Sequence, residues 1–175
     1  MFAPFGYRNR IRDYLLQLKY REATWVANCL CQSATKTFRY DEVLPEVLLP
    51  VPLHHSRLVD RGFNQAAEIA TTWSRIFDIR LDETALARNR ATPSQSGLDA
   101  KQRRQNLKQA FSYSTHLKYR HVAIVDDVVT TGATAEAITA LLHDAGVEYV
   151  EIWALARTIR SKQPQNLTNT NIDLI

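Results

Sequence analysis

Residues 122–134 read VAIVDDVVTTGAT, and this stretch decides the fold. It opens with a dense run of β-branched residues, which predicts a central parallel strand at 121–126 that is buried on both faces. Two adjacent acids, Asp126 and Asp127, follow at the end of that strand. A short turn rich in hydroxyl groups comes next, and a helix is expected from Thr134. The sequence therefore predicts an α/β domain with a ligand site here, because open α/β sheets bind ligands at the carboxyl ends of their strands.

The turn after the two acids has the groups that a phosphate requires. It offers backbone N–H groups, hydroxyls and the positive end of a helix, and its residues are Val129, Thr130, Thr131, Gly132, Ala133 and Thr134. Gly132 is expected to let the backbone approach a ligand closely. Beside this turn, Asp126 and Asp127 can accept hydrogen bonds from a vicinal diol. The alternative is an ordinary capped turn, since Asp and Thr are good N-caps, but that leaves the two adjacent acids unexplained.

Two other phosphate-binding patterns are excluded for this stretch. It lacks the Gly-Lys-Ser/Thr ending of a nucleotide P-loop, and it has too few glycines for the dinucleotide fingerprint.

A second candidate segment follows a short apolar run bounded by prolines at 46–52, which predicts a buried strand. Residues 53–62 are expected to form a loop, and periodic apolar residues predict a helix at 64–77. This loop suits a pyrophosphate, because arginine donates paired hydrogen bonds to anions. Its candidate residues are Leu53, His54, Arg57, Arg61, Asn64 and Gln65. The alternatives are a basic surface loop with a helix cap, and a metal site at His54 and His55, for which no carboxylate lies nearby.

The flanking sequence supplies the other elements of an α/β fold. Residues 8–30 predict one or two amphipathic helices. The helix after Thr134 is expected to end at Gly146, and a strand at 147–155 then completes a right-handed βαβ unit. The polar stretch 86–108 is expected to form a loop followed by a short basic helix.

The bulk composition is that of one globular domain. The chain has 175 residues, of which 45% are apolar and 23% charged. We expect a single domain over 1–160, in which 1–45 form a small helical hood, and a flexible C-terminal tail at 161–175. No apolar run reaches the roughly 20 residues of a membrane span, and the first residues lack a secretory signal, so a cytoplasmic protein is predicted. The two cysteines, Cys29 and Cys31, are interpreted as small hydrophobic residues.

Basic charge is concentrated between residues 86 and 120, where eight basic residues face one acid, Asp99. Such a segment attracts an anion, and nucleic acid and a polyphosphate small molecule both satisfy it; a solvated basic face is the remaining alternative. The candidates for nucleic-acid contact are Arg88, Arg103, Arg104 and Lys108. Three aromatic residues, Phe111, Tyr113 and Tyr119, either stack on bases of single-stranded DNA or belong to the strand core.

The stretch 122–134 resembles the diphosphoribose-binding signature of type I phosphoribosyltransferases. Further positions are similar to the ComF family, the GntX-like competence proteins; they are Lys19, Tyr20, 50–54, Arg57, 61–65, Arg88, Thr92, Gln95, Leu98, Arg103, Asn106 and 110–111. Together they cover 2–157. The resemblance implies a type I phosphoribosyltransferase-like α/β fold: a central, mostly parallel sheet flanked by helices, with a small N-terminal helical hood.

The resemblance also implies roles for the site residues. Asp126 and Asp127 would hold the ribose hydroxyls of phosphoribosyl diphosphate or of a nucleoside monophosphate, and 130–134 would wrap the 5-phosphate. Mg²⁺ would bridge the pyrophosphate and the ribose, with the two acids as its indirect ligands. Thr130 stands where purine-salvage members have an aspartate that contacts the base, which argues against a hypoxanthine or guanine substrate. The family's cysteine-rich zinc-binding segment is missing: either the chain is a truncated form or the protein does without it.

Two functions are expected on this basis. The first is phosphoribosyl transfer to an acceptor that the sequence does not identify, with Asp126 and Asp127 as catalytic residues that orient the ribose. The second is a non-catalytic or DNA-binding role in DNA uptake during natural competence. Residues 90–101 are expected to be poorly ordered in the empty site and to close over the ligand, because they contain little apolar surface to hold them.

Overall fold

A parallel sheet forms the centre of the computed structural model, which describes residues 1–20, 24–38, 43–89 and 109–158. The strands are β1 (Phe5–Gly6), β2 (Val47–Pro50), β3 (Arg80–Leu81), β4 (Leu86–Arg88), β5 (Phe111–Tyr113), β6 (His121–Val129) and β7 (Tyr149–Arg157). The helices are α1 (Asn9–Tyr20), α2 (Thr24–Thr35), α3 (His55–Arg61), α4 (Gln65–Phe77) and α5 (Ala133–Asp144). Five strands lie in the order β1-β7-β6-β2-β3 and pair in parallel, whereas β4 and β5 form a separate antiparallel hairpin. The predicted fold class is confirmed.

The sheet is buried on both faces because its strands are apolar on both faces. Along β6, Ala123 and Val125 point into one core, which α1, α2 and α4 cover. Val122 and Ile124 point into a second core, which α5 and the β4–β5 hairpin cover. All four side chains have 0% exposure, as the continuous apolar run of a central parallel strand requires. This burial fixes the register of β6 and therefore the position of the acids that follow.

The N-terminal region contains the two expected helices and one strand that the sequence did not predict. Leu15 and Leu18 of α1 are fully buried in the first core. Strand β1 pairs with β7 at the sheet edge, and Phe2 bridges to Trp153. The two helices are those predicted for the hood, and β1 is an addition to them, because a two-residue strand has no periodicity from which it can be recognised.

Residues 53–62, predicted as a loop, contain helix α3. His54 caps its start by accepting a hydrogen bond from the Ser56 N–H, and Gly62 ends it in the left-handed conformation at φ 79°. None of its residues is buried. The sequence therefore carries no apolar stripe by which a helix is usually recognised.

Strand β6 is longer than predicted, since it runs on from Asp126 to Val129. The two acids thus lie within the strand and not at its end. Their neighbour β2 ends earlier, with Pro50 opposite Val125, while β7 pairs with β6 as far as Val129. The missing partner on the β2 side opens the sheet next to the acids.

The middle of the chain differs from the predicted loop in containing the β4–β5 hairpin. Phe111 and Tyr119 are 5% and 8% exposed and belong to the second core, so they cannot stack on bases. The predicted basic helix, the expected loop at 90–101 and the predicted tail at 161–175 lie outside the described residues. Among the helices of the described ranges, none has the length and apolar character needed to cross a bilayer.

Candidate functional site

The candidate site lies where two neighbouring strands send their connections in opposite directions. From β2 the chain passes through α4 to β3 on one side, and from β6 it passes through α5 to β7 on the other. Helices α4 and α5 cover opposite faces of the sheet. Such a switch point leaves a crevice at the carboxyl ends of the two strands, where ligands of open α/β sheets bind.

Both acids line this crevice, and their carboxylates are oriented by the backbone. Asp126 Oδ1 accepts a hydrogen bond from the Asp127 N–H, and Asp127 Oδ1 accepts one from the Val128 N–H, each at 2.8 Å. Burial, followed by the charge of Asp127, raises the pKa of Asp126 to about 8. The pair therefore includes one carboxyl group that keeps its proton to a higher pH than a free aspartate does.

Lys19 brings a cation from the hood to the acids. Its Nζ lies 2.7 Å from Asp127 Oδ2, and the two side chains are 23% and 13% exposed. The contact is an ion pair but not an aligned hydrogen bond, since Oδ2 has no hydrogen-bond partner among the described residues. A charge from α1 is thus built into the site.

The turn that the sequence predicts to bind phosphate forms a small hollow of about 40 Å³ beside Asp126. Its lining residues are Asp126, Val128, Val129, Thr130, Thr131, Gly132, Ala133, Thr134 and Ala135. Gly132 adopts φ +81°, and a Cβ built there would meet no atom within 4 Å. The glycine is therefore needed for its backbone conformation, whereas the space above it is open.

A second hollow of about 150 Å³ joins the predicted pyrophosphate residues to the acids. Its lining residues are Lys19, Val51, Pro52, Leu53, Arg57, Arg61, Asn64, Gln65, Ala66, Arg88, Asp126, Asp127 and Thr134. Four of these side chains are cationic and two are acidic. Asp126 and Thr134 line both hollows, so the two are adjacent. The structure thus brings the two candidate segments together.

Gln65 presents a buried hydrogen-bond donor in this cleft. The side chain is 2% exposed, and its Oε1 accepts a hydrogen bond from Arg61 Nη1 at 3.0 Å. A guanidinium cannot accept, so the oxygen must face Arg61 and the Nε2 group must point elsewhere. Nε2 has no partner among the described residues. A buried amide in this state favours a ligand with acceptor oxygens, because an unpaired buried donor is costly.

The remaining predicted pyrophosphate residues, Asn64, His54 and Leu53, differ in whether they cap a helix and whether they line the cleft. The Asn64 side chain caps α4 by accepting from the Ala66 N–H and donates to the Val51 carbonyl. His54 caps α3, and only Leu53 and Asn64 of the three line the cleft. The Asn64 side chain therefore has a structural role at the cleft wall, and His54 has one at its margin.

Arg88, predicted among the nucleic-acid candidates, lines the same cleft. Its guanidinium lies over the Phe111 ring, 5.3 Å from the centroid. Burial and then the neighbouring Arg57 charge lower the pKa of Arg88, while Asp126 opposes them. Two arginines held close together favour an anion between them. The other three nucleic-acid candidates, Arg103, Arg104 and Lys108, lie outside the described residues.

The residues present fit a magnesium ion only if a ligand supplies most of its oxygens. No group of three or more His, Cys, Asp or Glu side chains in the described ranges has the arrangement of a metal site. Mg²⁺ usually keeps several waters and binds one or two carboxylates together with substrate phosphates. Asp126 and Asp127 meet that requirement as the protein's share.

A larger hollow of about 620 Å³ opens at the opposite end of β6. Its lining includes Tyr119, Arg120 and Val147, and none of its lining residues is an acid. The Arg120 guanidinium already forms a bidentate pair with Glu148, at 2.8 and 2.7 Å. The chemistry-bearing residues lie in the smaller cleft.

Lys19 is the site residue whose contact sequence reasoning missed. The sequence indicates Lys19 only through the family resemblance, because no local pattern links a helix at residue 19 to a strand at residue 127. Arg88, which the sequence suggests as a nucleic-acid candidate, also lines this cleft.

Residues 64–174 match the family model for the phosphoribosyl transferase domain. The chain is 48% identical to Competence protein F of Haemophilus influenzae over 117 residues. The aligned stretch covers 65% of this chain and 51% of that protein. The chain is also 43% identical over 116 residues to the DNA utilization protein YhgH of Escherichia coli O6:H1. This aligned stretch covers 66% of this chain and 51% of that protein. The chain spans about half the length of these curated relatives.

Among solved structures, the chain has a match to the glutamine phosphoribosylpyrophosphate amidotransferase of B. subtilis in complex with ADP and GMP. It is 21% identical with a TM-score of 0.45, and the match covers 73% of this chain and 24% of that chain.

Proposed function

The chain belongs to the phosphoribosyl transferase domain family, in its ComF branch, and on this premise we propose that the cleft binds phosphoribosyl diphosphate together with Mg²⁺. We propose further that the protein transfers the phosphoribosyl group to an acceptor. The observation that carries the proposal is the order of three subsites: an arginine-rich cleft, a carboxylate pair and a phosphate-binding turn. Asp126 and Thr134 line both hollows, which suits one ligand with an anionic group at each end.

The arginine-rich part of the cleft suits the diphosphate. Arg57, Arg61 and Arg88 line it, and the unpaired Gln65 Nε2 adds a neutral donor. Guanidinium groups bind phosphate oxygens through paired hydrogen bonds and stay charged at all relevant pH values. Diphosphate is the group that carries the most charge on this ligand, so the arginines belong at its end.

The phosphate-binding turn suits the 5-phosphate. The N-terminal end of α5 begins directly after Gly132, and its first N–H groups have no carbonyl partner within the helix. These donors and the helix dipole attract an anion. The Thr158 hydroxyl and N–H bind the carbonyls of Thr130 and Val129, which ties the start of the turn to the chain after β7.

Asp126 and Asp127 suit the ribose, whose two hydroxyls donate to carboxylate oxygens. When bound, Mg²⁺ would neutralise the diphosphate as it leaves, and the two acids would hold it through its waters. Transfer breaks the bond between ribose C1 and the diphosphate oxygen, whose electron pair leaves with the diphosphate. A lone pair of the acceptor forms the new bond to C1, and the acceptor's proton goes to water. The arginines stabilise the leaving charge, and the acids orient the ribose.

Calorimetry with phosphoribosyl diphosphate and excess Mg²⁺ tests the binding step. Removing a charged hydrogen-bond acceptor costs about 2 kcal/mol, so Asp127→Ala should weaken binding roughly thirtyfold. Asp144→Ala, an exposed acid at the other end of α5, is the matched control and should bind as the wild type does. Equal affinity of Asp127→Ala and wild type would overturn the proposal. Adenosine, guanosine and uridine monophosphates, titrated in parallel, test for a nucleotide as the resident ligand.

Turnover is tested separately from binding. The protein is incubated with phosphoribosyl diphosphate, Mg²⁺ and a panel of bases, and pyrophosphate release is followed. Release that depends on one acceptor identifies a transferase. Tight binding without release identifies a ligand sensor.

We propose as a second function that the protein acts on DNA in competence, which the names of its relatives favour. The basic segment around Arg103, Arg104 and Lys108 would contact single-stranded DNA. Because Arg88 lines the small-molecule cleft, it is assigned to that ligand and not to DNA. The two functions use different residues and are compatible.

A further inference from the structure

One oxygen of the carboxylate pair is covered by a cation. Asp127 Oδ2 is buried, with less than 1 Å² of accessible surface, and makes no hydrogen bond among the described residues. The Lys19 ammonium lies 2.7 Å from it. A ligand hydroxyl needs the same space to donate to Oδ2. The ribose therefore cannot use this oxygen until the ammonium moves.

The cleft offers Lys19 another partner when an anion is present. Lys19 lines the same hollow as Arg57, Arg61 and Arg88, the residues assigned to the diphosphate. Leu15 and Leu18 fix the backbone of α1 in the core, so movement is confined to the lysine side chain. That side chain is a charge on a flexible four-carbon stem, which can change partner without moving the helix.

We propose that Lys19 is a positioning residue that exchanges Asp127 for the ligand's diphosphate. An anion beside the arginines attracts the ammonium away from Asp127, which uncovers Oδ2 for a ribose hydroxyl. The two halves of the ligand then bind with positive cooperativity, although both are anions that repel each other. This inference rests on the proposed binding of phosphoribosyl diphosphate.

The test divides the ligand into ribose 5-phosphate and inorganic pyrophosphate, with Mg²⁺ in constant excess. Ribose 5-phosphate is titrated into wild-type protein with and without saturating pyrophosphate. Pyrophosphate should tighten its binding about fivefold or more, and the reverse titration should give the same factor, because coupling between two sites is reciprocal. In Lys19→Met, ribose 5-phosphate should bind with no gain from pyrophosphate.

Two further variants serve as controls. Lys19→Arg keeps the charge and should keep the coupling, whereas Arg12→Met removes a cation from an exposed position of the same helix and should not alter it. Thermal melts establish that each variant is folded, and Lys19→Gln, which also removes the charge, takes the place of Lys19→Met if that variant does not fold.

The inference is overturned if pyrophosphate leaves the wild-type affinity for ribose 5-phosphate unchanged or weakens it, or if coupling persists in Lys19→Met. Two ligands that bind without coupling refute only the exchange by Lys19. A wild-type protein that binds neither ligand refutes the proposed function itself, and the inference with it.

Discussion

Among single residues of the cleft, Asp126 is the one whose pKa is shifted furthest from its ordinary value. Burial and the adjacent Asp127 raise its pKa from 3.8 to about 8. Between these values the folded protein retains a proton that the unfolded chain releases, so stability falls as the pH rises toward 8. Asp126→Asn lacks this titration, so its stability relative to the wild type should rise between about pH 4 and pH 8 and stay constant at higher pH. Thermal melts at a series of pH values measure the difference, and parallel curves would contradict the prediction.

Gly132 is a second residue whose replacement should change a measurable quantity, the free energy of unfolding. Its φ of +81° is unfavourable for residues with a Cβ, while the surrounding space is open. Gly132→Ala should therefore lower the free energy of unfolding by about 1 kcal/mol through backbone strain alone. Gly132→Asn should cost less, since Asn tolerates this conformation. Urea unfolding of the three proteins compares them, and an equally stable Ala variant would show that the turn relaxes.

At the scale of elements, the β4–β5 hairpin carries Arg88 into the cleft. Arg88 pairs with Phe111 in the hairpin register, and its guanidinium lies over the Phe111 ring. Because it is held between the ring and the cleft, Arg88→Met should weaken inorganic pyrophosphate binding about tenfold, the loss of one charge-assisted contact. Arg80→Met, at an exposed position of β3, should leave the affinity unchanged. If both variants bind as the wild type does, the hairpin has no part in the anion site.

The elements differ in how far the sequence predicted them. Strands β2, β6 and β7 and helices α4 and α5 were predicted because their apolar pattern extends over enough residues to have a period. The short elements α3, β1, β4 and β5 have none, since α3 buries no residue and each of these strands spans at most three. The candidate ligand-binding residues of β6 and of the turn after it can be predicted from local sequence. The contact between Lys19 and Asp127 joins distant segments, and only tertiary packing creates it.

One sequence prediction concerns the segment between β4 and β5, which is expected to close over the ligand. Residues 90–101 are outside the described ranges, and their closure over the ligand stays a prediction. Hydrogen exchange should show more protection there after phosphoribosyl diphosphate and Mg²⁺ are added. Protection equal to that of β6 without ligand would contradict it.

At the scale of the whole molecule, charge is the property that bears on DNA. The net charge is +4, and eight basic residues fall between positions 86 and 120. If Arg103 and Arg104 contact single-stranded DNA, their replacement by alanine should reduce the slope of log affinity against log salt by about 0.7 for each. Fluorescence anisotropy over a salt series measures the slope. An unchanged slope in the double variant would return these residues to the solvated surface.

The pairing of β1 with β7 has a consequence for how the protein is made. Ribosomes deliver the chain from its amino end, and β7 is the last of the described strands to emerge. It lies between β6 and β1, with Phe5 opposite Ala156 and Phe2 bridging to Trp153. Until then β1 has no partner, and the apolar face of the hood lacks the Trp153 and Leu155 side chains that complete its core. This apolar surface therefore stays uncovered until β7 has left the ribosome, and the sheet can close only afterwards.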